Sequence, residues 1–191
     1  MLWFITGSKI LQQQTTDYRL QTQTLHMPTI HLTTFIEAPV KRVFDLSRNI
    51  TLHKKTMEKS GERAIAGVTS GLINLNETVT WQARHLFKTR IFKSRISAME
   101  PYTFFQDEMV SGDFQSVRHE HHFKTIANGT IMIDFFHFES PYGRLGKMVN
   151  QLLLTRYLRN LLENRNGILK EYAETNKWKG ILEEEVVGKR Y

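Results

Sequence analysis

The sequence predicts an α+β fold in which a curved antiparallel sheet wraps around one long C-terminal helix, with two short helices after the first strand. Three observations carry this. Several consecutive segments between residues 77 and 139 alternate apolar and polar residues with period two, the mark of half-buried strands. Turn residues punctuate them: Pro101-Tyr102, Ser111-Gly112-Asp113 and Asn128-Gly129. From Leu145 to Tyr172 the period changes to that of a helix with a broad apolar stripe.

Taken in order, Ile30–Ile36 reads as the first strand, rich in Thr, Ile and Phe. Ala38-Pro39 stops it, and Pro39 suits the first turn of a helix because its missing N–H is no loss there. Val40, Val43, Phe44 and Leu46 give a short amphipathic helix, and Asn49–Lys59 a second short helix or turn. Gly61, Gly67 and Gly71 mark a loop region with a short strand near Arg63–Val68. The strand Glu77–Phe87 then turns Val79, Trp81, Ala83, His85 and Phe87 inward. Arg90–Glu100 places Phe92, Ser94, Ile96 and Ala98 on one face, and Thr103–Val110 follows. Asn128-Gly129 is a tight-hairpin signal leading into Thr130–Glu139, which is apolar on both faces, so alternation leaves the direction of Asp134 open.

The strand between those two turns is the most informative. Val117, His119, His121 and Phe123 share one face, and Ser116, Arg118, Glu120, His122 and Lys124 the other. A buried imidazole needs partners, so two on the inner face imply a polar patch in a core or cavity. Pro141 and Gly143 end the sheet. The helical stripe runs through Leu152, Leu158 and Leu161, which are expected to face the sheet; Gly167 lies inside it, where a kink or break is expected. A sheet wrapped around such a helix leaves a space between the layers.

Composition narrows the classes. At 191 residues, 40% hydrophobic and 24% charged, the chain suits one globular domain with tails. It has no cysteine, which excludes disulfides, thiolate metal sites and a cysteine nucleophile, and is compatible with a reducing compartment; a cytoplasmic location is the expectation. The net charge of +7 is spread out without a dense basic run, so no nucleic-acid partner is expected and any membrane contact would be peripheral. No segment approaches the ~18–20 apolar residues that span a bilayer. Residues 1–26, rich in Gln and Thr after a short apolar start, read as an appendage, disordered or loosely docked, and residues 177–191 as a C-terminal tail. No phosphate-binding glycine loop, nucleophile elbow or HExxH motif occurs.

This order of elements, with IEAPVKRVFDL at the front, resembles the START-like or SRPBCC superfamily, which adopts the helix-grip fold. SGLINLNETVTWQARHLF, FFQDEMVSGDFQSVRHEHHF and GTIMIDFFHFESPYGRLG bring it nearer to a bacterial ligand-binding branch, related to polyketide cyclases and coenzyme-Q-binding START proteins. In that branch a pattern recurs that is met here by Phe105 and Asp107, Gly112 and Phe114, His119, His121 and Phe123, and Asp134, Pro141 and Gly143. Val117 departs from it, standing where relatives often carry an aromatic residue, which would widen or reshape the cavity. The resemblance implies a ligand-binding domain over residues 27–176. Other relatives are lipid carriers and plant hormone-binding proteins, and some bacterial members are named cell-division proteins; fold does not fix function among them.

The expected function is therefore binding or carriage of a small hydrophobic molecule of quinone, polyketide, fatty acyl or isoprenoid type. Its expected site is Trp81, His85, Phe92, Phe105, Asp107 and Met109, with Val117, His119, His121, Phe123, Asp134, Phe136 and Leu152. One alternative is a cyclase- or hydrolase-type enzyme with His119 or His121 as base, oriented by Asp107 or Asp134. Another is an interaction module linked to cell division. His119-x-His121 with Asp107 or Asp134 has metal-ligand character, but paired histidines on a strand are common without metal, so no metal and no cofactor is expected.

Overall fold

The structure, a computed structural model, describes residues 28–58, 61–85, 88–139 and 147–183. Seven strands form one antiparallel sheet: β1 (Thr29–Ile36), β2 (Arg63–Gly67), β3 (Thr78–His85), β4 (Lys88–Glu100), β5 (Phe104–Ser111), β6 (Ser116–Ile126) and β7 (Gly129–Glu139). Their order is β1-β7-β6-β5-β4-β3-β2, a meander from β2 to β7 closed by the first strand on the edge of the last. The helices are α1 (Val40–Ser47), α2 (Ile50–Thr56), α3 (Lys147–Glu174) and the short α4 (Lys179–Leu182). This is the predicted α+β helix-grip arrangement.

Local sequence explains the joints. Pro39 stands immediately before α1 with an extended backbone, as expected from its fixed φ and missing donor. Asn49 caps α2 by accepting the Leu52 amide at 2.9 Å. The hairpin forms one residue earlier than the Asn128-Gly129 signal, with Ala127 and Asn128 in the turn and Gly129 paired with Ile126; what fixes this glycine is close approach, since a Cβ there would stand 2.3 Å from the Ile36 carbonyl oxygen, where β1 ends. Gly67 lies in the left-handed region (φ +76°) with no room for a Cβ against the Thr78 backbone, which suits glycine alone.

Phe44 on α1 anchors the larger core, meeting Phe105 and Phe123 edge-on at 5.6 and 5.3 Å. Ile36, Leu46, Leu52, Ile96, Met132 and Leu169 complete it. A smaller cluster of Ile30, Val117 and Phe138 lies further along the sheet, with Leu154, Leu158 and Leu162 of α3 packed against it.

Three expectations change. Helix α3 runs unbroken through Gly167, where open space surrounds the position and the turn on either side is held by Arg165, Asn166 and Leu169, all buried. Leu152 is 75% exposed rather than facing the sheet, while Leu169 is 1% exposed. The helix is 28 residues, roughly 42 Å, long, and Leu153 beside Leu152 is exposed too. Finally, part of the tail read from residue 177 is packed: Ile181 is buried in the larger core and Arg42 lies over the Trp178 ring. The appendage 1–26, Phe87, Pro141, Gly143 and Leu145 lie outside the described residues.

Candidate functional site

Between the sheet and the middle of α3 lies a cavity of about 310 Å³, in the range of small-molecule sites. The sheet contributes Trp81, Phe92, Phe105, Val117 and Phe136 to its wall, all from the predicted set. Helix α3 supplies Leu154, Leu158, Leu161 and Leu162, spaced to share one face. Arg90 and Asp113, which also line it, pair with each other.

Asp107, His119 and His121 form its polar floor. Strand pairing brings them together. Asp107 on β5 is the cross-strand partner of His119 on β6, and Asp134 on β7 is the partner of His121. Each carboxylate then reaches the diagonal histidine: Asp134 Oδ1 lies 3.0 Å from His119 Nε2, and Asp107 Oδ2 lies 3.3 Å from His121 Nε2. The two imidazoles are thus held between two carboxylates, ring centroids 3.8 Å apart, with His121 stacked on Phe105 at 4.2 Å.

Asp134 points inward, settling the direction that alternation left open. It is fully buried behind the histidines rather than on the cavity wall. Asn166 Nδ2 donates to its Oδ2 at 2.7 Å, and the Arg165 guanidinium lies 3.9 Å from Oδ1. His121 Nδ1 approaches Oδ1 at 2.8 Å but out of line for a hydrogen bond, so that contact is electrostatic. Burial pushes the Asp134 carboxyl up, yet its contacts with His119 and His121 more than reverse this and hold it well below the usual range. Asp107 follows the same balance: burial raises it, and the His121 hydrogen bond with the charges of His119, His121 and Arg165 brings it below its ordinary value. Burial, then the neighbouring His121, pushes His119 down to about 4 against the opposing pull of Asp134.

Other predicted residues fall elsewhere. Phe123 is in the larger core, Met109 packs against the smaller cluster and Leu152 is exposed, and none of the three lines the cavity. The side chain of His85 lies outside the described residues. His122 is on the outer face beside Glu120 at 3.1 Å, as alternation required. Arg165 and Asn166 were missed. Arg165 interrupts the apolar stripe Leu158, Leu161, Leu162, Leu169 at helical spacing, and a charge in such a stripe is the signal that could have found it. Its guanidinium reaches the Ser47 carbonyl at 3.1 Å and the Asn166 side chain at 3.1 Å.

Among the described residues no helix is long and apolar enough to cross a membrane. No protein-family model and no curated protein matches the chain. Solved structures do. The protein TTHA0849 from Thermus thermophilus superposes with TM-score 0.59 at 16% identity, over 74% of this chain and 97% of that one. Ara h 8.0201 gives TM-score 0.54 at 12% identity over 77% and 97%, and ginseng major latex-like protein 151 from Panax ginseng gives 0.57 at 14% over 78% and 99%. At such identities the likeness establishes the helix-grip fold.

Proposed function

We propose that the protein binds a small hydrophobic molecule in the cavity between the sheet and α3, with an oxygen-bearing end at Asp107, His119 and His121. The observation that carries this reading is the cavity itself: walls largely of aromatic and aliphatic side chains, with Asp107, His119 and His121 gathered together in the lining. Apolar walls supply the driving force by burying the body of a ligand, and a few placed polar groups fix its orientation. A carbonyl or hydroxyl suits the floor, and quinone, polyketide, fatty acyl and isoprenoid compounds all combine such a group with an apolar body. Carriage of that kind of molecule is the function favoured.

A second reading, a cyclase- or hydrolase-type enzyme, draws on the His119–Asp134 hydrogen bond, since a carboxylate orients a histidine base in this way. His119 titrating at about 4 is a poor base near neutrality, which favours the carrier.

The test uses Trp81 as reporter, because it lies on the wall. Native mass spectrometry of gently purified protein identifies any co-purified compound, and that compound is titrated back against tryptophan emission. Saturable quenching that is lost in Trp81→Phe supports the reading. Absence of any bound compound, together with no response to ubiquinone-1, farnesol or lauric acid, counts against it. Product formation from the bound compound would favour the enzyme.

A further inference from the structure

From the pairing of the two histidines with two carboxylates, we infer that Asp107, His119 and His121 form a binding site for one divalent transition-metal ion, open to the cavity. The inference is independent of which organic molecule the cavity takes.

The argument starts from counting protons. Each imidazole presents one nitrogen to each carboxylate. His119 Nε2 and His121 Nδ1 face Asp134 at 3.0 and 2.8 Å, and His119 Nδ1 and His121 Nε2 face Asp107 at 4.0 and 3.3 Å. Two of the four are hydrogen bonds, His119 Nε2 to Asp134 and His121 Nε2 to Asp107, and these use both N–H groups of two neutral imidazoles, so His121 Nδ1 meets Asp134 Oδ1 with no proton between them. If both protons are instead on the Asp134 side, two lone pairs and the Asp107 carboxylate converge on one point with no positive charge between them. Placing the protons otherwise only moves a lone pair against Asp134. The nearest guanidinium, Arg165, serves Asp134, Asn166 and the Ser47 carbonyl. Arg165 is thus one guanidinium beside two carboxylates, and the cluster has room for a cation.

The geometry suits a metal. One ligand atom from each of Asp107, His119 and His121 lies within 4.8 Å of the other two. Metal–ligand bonds of ~2.0–2.2 Å bring such atoms roughly 3.3 Å apart, so small side-chain rotations close the site. Two imidazoles and one carboxylate on one side of an ion leave its remaining positions free, here toward the cavity. Asp134 then takes the outer role that metal-bound histidines usually require, hydrogen-bonded to the far nitrogen of His119 and 2.8 Å from that of His121, and Asn166 and Arg165 hold Asp134 in turn. The two-apart spacing of the histidines was weak evidence by itself. What the structure adds is the carboxylate on each side of the pair.

The experiment uses the full chain stripped with EDTA and the metals alone. Zn²⁺ titration by calorimetry, followed by Co²⁺ with X-ray absorption at the cobalt edge, should give one ion per chain held by two imidazoles and a carboxylate. Asp107→Asn and His121→Gln should each weaken Zn²⁺ at least tenfold, while Glu120→Gln, altering the outer-face group beside His122, should not. Circular dichroism in EDTA confirms that each variant is folded. Should His121→Gln fail to fold, Asp107→Asn and the cobalt-edge spectrum of the wild type decide. No one-to-one binding by the wild type would overturn the inference. Binding that follows Glu120→Gln instead of Asp107→Asn would overturn it equally.

Discussion

Asp134 stands directly opposite His121 in the β6–β7 ladder, yet its hydrogen bond goes to the diagonal neighbour His119 at 3.0 Å. The same carboxylate accepts from Asn166 on α3, so one buried side chain ties two strands to the helix that covers the cavity. Three elements therefore share one polar anchor inside a largely apolar interior.

Removing that anchor should be costly. Asp134→Ala takes away the acceptor of His119 Nε2, one of the two acceptors of the Asn166 amide and the carboxylate beside the Arg165 guanidinium, and breaking a buried charged cluster from one side costs roughly 3–5 kcal/mol. Urea unfolding should show this loss. Asp134→Asn keeps the shape but turns a donor toward a donor, and should fall between. A loss below about 1 kcal/mol for Asp134→Ala would mean that the cluster is not formed in solution.

The buried histidine sets a pH dependence in the metal-free protein. His119 is about 4 in the fold against ~6.5 in the unfolded chain, so between those values the unfolded state alone takes up the proton. Stability is full above pH 6.5 and should fall as pH drops toward 4, by an amount on the order of 3 kcal/mol. Asp107 and Asp134, both lowered, extend the loss to more acidic pH. Denaturation in EDTA at pH 7, 5.5 and 4 measures the slope, which should flatten in His119→Gln. Equal stability at pH 7 and 4.5 would contradict a neutral, buried His119.

The two ends of α3 should respond oppositely to truncation. Leu169→Ala opens a cavity in the larger core and should cost about 2–5 kcal/mol. Leu152→Ser removes an exposed side chain and should change stability by no more than about 0.5 kcal/mol. Thermal unfolding of the two variants beside the wild type checks both. A large loss from Leu152→Ser would show that the early turns of the helix are covered.

What was readable in the sequence follows from what each signal reports. Alternation identified Val117, His119, His121 and Phe123 as one inner face because period two is a local property of a strand. It could not place Asp134, since β7 is apolar on both faces, and only the β6–β7 register sets it against His121. Periodicity found α3 but not which turns are covered, because helix length and sheet width are set separately; hence Leu152. Gly167 was read by propensity, worth about 1 kcal/mol, which burial of Arg165, Asn166 and Leu169 around it outweighs. Ile181 lay in a charged stretch too short to show a period. Its packing depends on where α3 ends.

Val117 offers the most direct control of the cavity. It is 5% exposed, lies on the cavity wall and is the cross-strand partner of Phe138, on the strand that also carries His119 and His121. Beyond its methyl groups is open volume, so Val117→Phe can direct the larger ring into the cavity rather than into packed core, and the usual overpacking cost of about 1–3 kcal/mol should be mostly avoided. The added ring occupies space that a ligand would otherwise fill. Binding of a bulky apolar probe such as 1-anilinonaphthalene-8-sulfonate should therefore weaken by tenfold or more, and that of a slender one such as lauric acid by less. Polar-floor changes such as His121→Gln should instead shift affinity by about 1–2 kcal/mol for ligands with an oxygen at that end and leave purely apolar probes alone. Fluorescence titration of the two variants against both kinds of probe separates wall from floor. Equal weakening of every probe by both substitutions would show that the cavity does not bind in the orientation proposed.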